Sequence, residues 1–65
     1  DSVILRGDPA TRSFSCCYLR DGELIALDAV NHAKDFMAAR KLIAERARPD
    51  PARLADDTVA LRDTL

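Results

Sequence analysis

Two adjacent thiols, Cys16-Cys17, and one imidazole, His32, are the residues of this 65-residue chain whose types most invite nucleophilic, redox or metal chemistry. A metal site needs several converging ligands, and one histidine with no second cysteine pair does not supply them. Neighbouring side chains on a strand point to opposite faces, so Cys16-Cys17 is a poor structural staple as well. The expectation is a buried, structural Cys16 and a partly exposed, oxidisable Cys17. His32 would serve as a general base only with Asp28 or Asp35 in hydrogen-bond reach. Its place beside a presumed helix start argues for a first-turn surface residue, and Asp28 is expected to accept from backbone donors in the turn into that helix. Gly7 and Gly22 are the only glycines and neither opens a G-x-G-x-x-G loop, so no nucleotide fingerprint lies here. Asp56-Asp57 are adjacent rather than clustered for calcium. No catalytic, cofactor-binding or metal residue is assigned.

The basic run Arg40, Lys41, Arg46 and Arg48 has two readings. It is a solvated helix end whose cations complement the helix dipole, or a docking patch for an acidic protein. The formal net charge is −1, so no global field favours nucleic acid or an anionic membrane. No run of apolar residues suggests a leader or a span. A reducing, cytoplasmic setting is expected. The chain begins at Asp1 without Met and reads as a piece of a longer polypeptide.

These residues must be positioned by a small fold. With 48% hydrophobic and 32% charged residues the composition is that of a folded domain, and at this length only ~60% of the unfolded surface is buried, too little for a large enclosed site. Val3 to Arg6 reads as a strand, inside a run opening at Asp1, and Gly7-Asp8-Pro9 as a turn leading into a loop to Arg12. Ser13 to Arg20 and Glu23 to Val30 flank Asp21-Gly22, a pair suited to a two-residue hairpin because both central positions need φ > 0. Pairing Arg20 with Glu23 sets Tyr18 opposite Ile25, Cys16 opposite Leu27 and Phe14 opposite Ala29, an apolar face expected to be core. The other face, Leu19/Leu24, Cys17/Ala26 and Ser15/Asp28, is mixed but more apolar than solvent requires, so something outside these residues is expected to cover it.

Asn31 is an N-cap candidate, and helical spacing of apolar residues runs from Ala33 to Ala47. Phe36, Ala39, Ile43 and Ala47 form the expected packing stripe, flanked by Leu42 and by Ala33, Met37 and Ala44, with Lys34, Lys41 and Glu45 on the solvated side. Arg48-Pro49 is expected to stop the helix. Asp50 as N-cap and Pro51 at N1 start a short helix over Ala52 to Ala55, and Val59, Leu61 and Leu65 suit one docked turn of the tail. The fold class is α+β: an antiparallel sheet of three or more strands, one long helix on it, and a short helical tail.

Taken in order, Val3-Ile4-Leu5-Arg6-Gly7-Asp8-Pro9, Ser13-Phe14-Ser15, Tyr18-Leu19-Arg20-Asp21-Gly22, Ala29-Val30-Asn31, Asp35-Phe36-Met37-Ala38-Ala39-Arg40-Lys41-Leu42-Ile43 and Leu54-Ala55-Asp56 resemble a known family. It is the C-terminal domain of FAD-dependent, NAD(P)H-linked ferredoxin reductases, of the putidaredoxin reductase, rhodocoxin reductase and aromatic-ring dioxygenase type. The resemblance covers essentially the whole chain. It implies a parent enzyme in which FAD- and NAD-binding domains precede residues 1–65, and in which hydride passes to the flavin and electrons pass singly to a [2Fe-2S] ferredoxin serving a cytochrome P450 or a dioxygenase. The family's Trp-rich opening segment and the domain's first strand are not within this sequence, and the prolines that relatives often carry around Asp56 to Leu61 are absent. No catalytic residue is therefore transferred. The domain's own role would be structural, with Lys34, Arg40, Lys41 and Arg62 facing an acidic ferredoxin. The competing expectation is a free-standing interaction module that dimerises through the uncovered sheet face, without redox activity.

Overall fold

A computed structural model describes residues 2–65; the expectation that the first strand's run opens at Asp1 lies outside them. Ser2–Asp8 forms β1, Ser13–Arg20 β2 and Glu23–Val30 β3, an antiparallel meander in the order β1-β2-β3. Asp21 and Gly22 have φ of 51° and 85°, the left-handed pair that a two-residue hairpin turn demands. Between β1 and β2, Asp8 accepts from the Ala10 amide and starts a 3-10 turn over Pro9–Thr11.

The hairpin register departs from strict pairing at one point. Arg20 faces Glu23 and Leu19 faces Leu24, but Tyr18 then faces Ala26, leaving Ile25 as an extra residue in β3. Such a bulge re-aims everything beyond it. Cys17 consequently pairs with Leu27, Cys16 with Asp28, Ser15 with Ala29 and Phe14 with Val30, in place of the expected Tyr18/Ile25, Cys16/Leu27 and Phe14/Ala29 partners.

The two faces of β2 are also exchanged relative to expectation. Ser15, Cys17 and Leu19 are buried, whereas Phe14, Cys16 and Tyr18 lie on the open side and are only half-buried. β1 follows the same choice: Ile4 and Arg6 turn inward, Val3 and Leu5 outward. Period two fixes that residues alternate but not which row faces in, and both rows of β2 carry apolar side chains.

Ala33–Ala44 forms α1. Its inward residues are Asp35, Ala39 and Leu42, with Ala38 and Ile43 at the margins, while Phe36 is 50% and Met37 65% exposed. The packing stripe is thus rotated away from the expected Phe36-Ala39-Ile43-Ala47 line, because Asp35 turns inward to meet a buried cation. His32, not Asn31, is the N-cap; Asn31 has φ of 54° and its side chain donates to the Arg12 carbonyl at 2.8 Å. The helix ends before Arg48-Pro49. Arg46 adopts φ of 56°, and the amides of Arg46 and Ala47 return to the carbonyls of Ile43 and Leu42 at 3.1 and 2.9 Å, which closes the last turn in a Schellman arrangement. The Ala47 carbonyl then accepts from Leu24 at 3.0 Å, tying the exit of the helix to β3.

Pro51–Ala55 forms α2, capped by the Asp50 carboxylate, which accepts from the Arg53 amide at 3.1 Å. The tail closes with a 3-10 turn over Leu61–Asp63. Two layers result, the sheet and a helical layer of α1, α2 and the tail. Between them sit Cys17, Leu19, Leu24, Ala39, Leu42, Leu54 and Leu61. Among the described residues nothing packs on the outer face of the sheet, where Val3, Leu5, Ile25 and Val30 are 41–65% exposed.

Candidate functional site

The inward row of β1 places a charged residue in the core. Arg6 is 1% exposed, a position that requires a full set of partners. Its Nε donates to Asp35 Oδ2 at 3.0 Å, one terminal nitrogen donates to the Leu54 carbonyl at 2.9 Å, and the other to the Val59 carbonyl at 2.7 Å. Weaker contacts at 3.4 Å reach the carbonyls of Arg53 and Asp56. One guanidinium therefore holds β1, α1 and the tail together and satisfies backbone carbonyls that end α2.

Asp35 Oδ2 is the centre of this cluster. It accepts from Arg6, from Ser15 Oγ at 3.1 Å, and lies 3.1 Å from His32 Nδ1, which is also 3.0 Å from Ser15 Oγ. These contacts close when Nδ1 carries the proton and Ser15 donates to Asp35, an assignment made from the network. Serine, histidine and aspartate are together here, yet they do not form a hydrolytic triad. A triad places serine on one ring nitrogen and aspartate on the other, whereas both contacts here fall on Nδ1 and Ser15 is wholly buried. Its role is to neutralise and orient.

His32 is thus half-buried in the network and not a first-turn surface residue. Asp28 is on the open face, where its carboxylate accepts from the Tyr18 hydroxyl at 2.9 Å and holds the Tyr18 pKa up; it caps no backbone donor of the turn. The two cysteines exchange their expected places. Cys17 is buried, and desolvation foremost, with Arg6 opposing, pushes its thiol from 9.0 up to about 11, so the thiolate needed for redox chemistry is disfavoured. Cys16 is half-buried on the open face. Among the described residues no group of three or more His, Cys, Asp or Glu converges as a metal site, and no helix is long and apolar enough to cross a membrane.

Lys34, Arg40 and Lys41 are exposed on α1, and Arg62 is exposed in the tail. Lys34, Lys41 and Arg62 border an open groove between α1 and the tail, with Met37, Ala60 and Leu65 among its apolar walls; Arg40 lies outside it. Arg48, the end of the basic run, folds away from this surface and donates to the Asp21 carbonyl under the hairpin turn. Sequence reasoning missed Arg6 and its network. The available signal was an arginine in phase with Ile4 on an otherwise apolar strand.

The chain is thus a two-layer α+β unit with a buried Arg6–Asp35 cluster between its layers and, among the described residues, one apolar sheet face open. It belongs to the reductase C-terminal family, whose model matches residues 1–65. Its relatives include the ferredoxin reductase subunit of the 5,5'-dehydrodivanillate O-demethylase of Sphingobium sp., 49% identical over 63 residues, covering 97% of this chain and 15% of the relative. The ferredoxin–NAD(+) reductase component of the anthranilate 1,2-dioxygenase system of Burkholderia cepacia is 48% identical over 65 residues, covering 98% of this chain and 16% of the relative. Putidaredoxin reductase of Pseudomonas putida is 32% identical over 65 residues, covering 100% and 15%. The chain spans about one-sixth of the length of these relatives.

Proposed function

We propose that residues 1–65 are the C-terminal domain of an FAD-dependent NAD(P)H:ferredoxin oxidoreductase whose electrons pass to a [2Fe-2S] ferredoxin serving a cytochrome P450 or a ring-hydroxylating dioxygenase. The observation that carries this reading is the family match over the full chain, with relatives named as the ferredoxin reductase subunit of an O-demethylase and the ferredoxin–NAD(+) reductase component of a dioxygenase system. FAD and NAD(P)H belong to preceding domains of the parent polypeptide, and the protein works in the reducing cytoplasm. The chain itself performs no chemistry. It contributes a rigid scaffold, and its open apolar sheet face packs on the FAD- and NAD-binding domains.

The domain's second task is partner docking through Lys34, Arg40, Lys41 and Arg62, since weak electron-transfer encounters use complementary charge for rapid association. The test is NAD(P)H-dependent ferredoxin reduction by the parent polypeptide. Lys41→Glu slows it several-fold at about 0.05 M salt, and the deficit shrinks at about 0.5 M, where the Debye length falls below the reach of the rim charges. An equal rate for both proteins at low salt removes Lys41 from the docking surface.

A second reading is favoured by one observation, the uncovered sheet face bearing Val3, Leu5, Ile25 and Val30. An isolated module could pair two copies there without redox activity. Two G-x-G-x-x-G fingerprints, each following a strand upstream of Asp1, favour the reductase; their absence favours the module.

A further inference from the structure

The open face of the sheet is apolar around a single acid. Asp28 of β3 faces Cys16 of β2, which in turn faces Leu5 of β1. Along its own strand Asp28 is flanked by Ala26 and Val30, and on the diagonals of β2 by Phe14 and Tyr18. Its carboxylate accepts from the Tyr18 hydroxyl at 2.9 Å and, among the described residues, makes no ion pair. That hydrogen bond, foremost, holds the Tyr18 pKa up, so the hydroxyl remains a donor. Arg20, the cation on the same face of β2, stands at the end of that strand and does not pair with it. An exposed carboxylate keeps its water, but a covered one loses it, and one neutral hydroxyl does not make good that loss. The apolar residues around Asp28 nonetheless mark the face for cover. Both demands are met by a covering surface that brings a cation to this point.

We propose that the surface closing this face carries a basic side chain, set among apolar ones, that pairs with Asp28, while Tyr18 holds the carboxylate to receive it. The occupant is the parent polypeptide's own preceding domains, an identification that rests on the function proposed above. The relatives hold polypeptide enough to cover the face, since this chain spans only 15–16% of them. The lone negative charge selects a positive surface over a neutral or acidic one. Such a pair also fixes where the covering domain sits. Apolar side chains alone tolerate sliding, whereas a buried ion pair closes in one register and leaves its charges unpaired in any other.

Cys16 lies between Leu5 and Asp28 on the open face and reports on its cover, whereas Cys17 is buried. The experiment is labelling of the folded parent polypeptide with N-ethylmaleimide, followed by mass spectrometry in which fragment ions separate Cys16 from Cys17. In wild type, Cys16 is labelled at least about tenfold more slowly than in urea, because the covering domain must open first. Asp28→Asn keeps an acceptor for Tyr18 but removes the charge, and it speeds Cys16 labelling by about tenfold or more, as loss of one member of a buried pair does. Tyr18→Phe keeps the charge and has the smaller effect. The flavin spectrum and thermal midpoint of each variant confirm that it is folded. Wild-type Cys16 labelled as fast as in urea overturns the proposal, because the face is then uncovered. Labelling of Asp28→Asn within about twofold of wild type overturns it too, because Asp28 then has no charged partner. Protection that disappears on dilution, together with a dimer, puts a second copy on the face and overturns the assignment to the parent's own domains. A wild-type flavin that neither NADH nor NADPH bleaches overturns the reductase reading instead, while the labelling still decides the pairing of Asp28.

Discussion

Arg6 carries a permanent charge into the centre of a very small domain and meets an acid, two strong carbonyl acceptors and two weaker ones. Removing one member of such a buried set leaves the others unpaired. Arg6→Met, similar in volume but without donors, is expected to destabilise the domain by about 3–5 kcal/mol in urea unfolding, and Arg6→Lys to recover only part of it, since an ammonium cannot span Asp35 and the tail. If Arg6→Met/Asp35→Leu is no more stable than the sum of its single variants predicts, the coupling assigned to the pair is absent. Cys17 gives a pH signature at the same scale. Its folded pKa is raised above the unfolded value of 9.0 to about 11, so the stabilisation from burying the neutral thiol is complete below pH 9 and is lost as the pH rises from 9 through 11. Urea midpoints measured across that window are expected to fall in wild type and less in Cys17→Ala. These residue roles were poorly legible in the sequence. Cys16 and Cys17 could not be told apart because both rows of β2 are apolar, and the meeting of Arg6 with Asp35, 29 positions apart, is a tertiary event that no local pattern encodes.

At the level of elements, features governed by local chemistry were readable and those governed by register were not. Asp21-Gly22 and Asp50-Pro51 announce a left-handed turn and a capped helix start, and both stand in the structure. The bulge at Ile25 has no marker glycine, and the end of α1 uses an arginine in the left-handed region where Pro49 seemed the natural stop. Two glycines rank the backbone constraints. Gly22 has φ of 85°, and an added Cβ would stand 3.0 Å from the Arg48 terminal nitrogen that donates to the Asp21 carbonyl, so Gly22→Ala is expected to cost about 1–2 kcal/mol from backbone strain, with the shift of that one side chain added. At Gly7, with the same φ, the Cβ would stand 2.6 Å from the Ser13 carbonyl oxygen and crowd His32 as well. Gly7→Ala is therefore expected to be the more damaging of the two by denaturant unfolding, and the reverse order would contradict the β1-to-β2 geometry described.

The whole molecule is organised by its two unequal sides. The inner side of the sheet is closed by helices, a polar clasp and the tail; the outer side leaves Val3, Leu5, Ile25 and Val30 open around half-buried Phe14, Cys16 and Tyr18. That one sheet face would be open was legible in the alternation of β2 and β3, although the bulge and the inward Arg6 exchanged which face it is. Contiguous apolar surface of this kind marks an interface, and the family's relatives, about six times longer than this chain, have the polypeptide to cover it. The claim that most depends on this picture is that the chain serves a flavoprotein reductase. The most direct measurement is the visible absorption spectrum of the unfragmented gene product before and after anaerobic addition of NADH or NADPH. A flavin spectrum bleached by one of the two nucleotides is the predicted result, whereas a colourless protein that takes up no added FAD would contradict the account and leave an interaction module in its place.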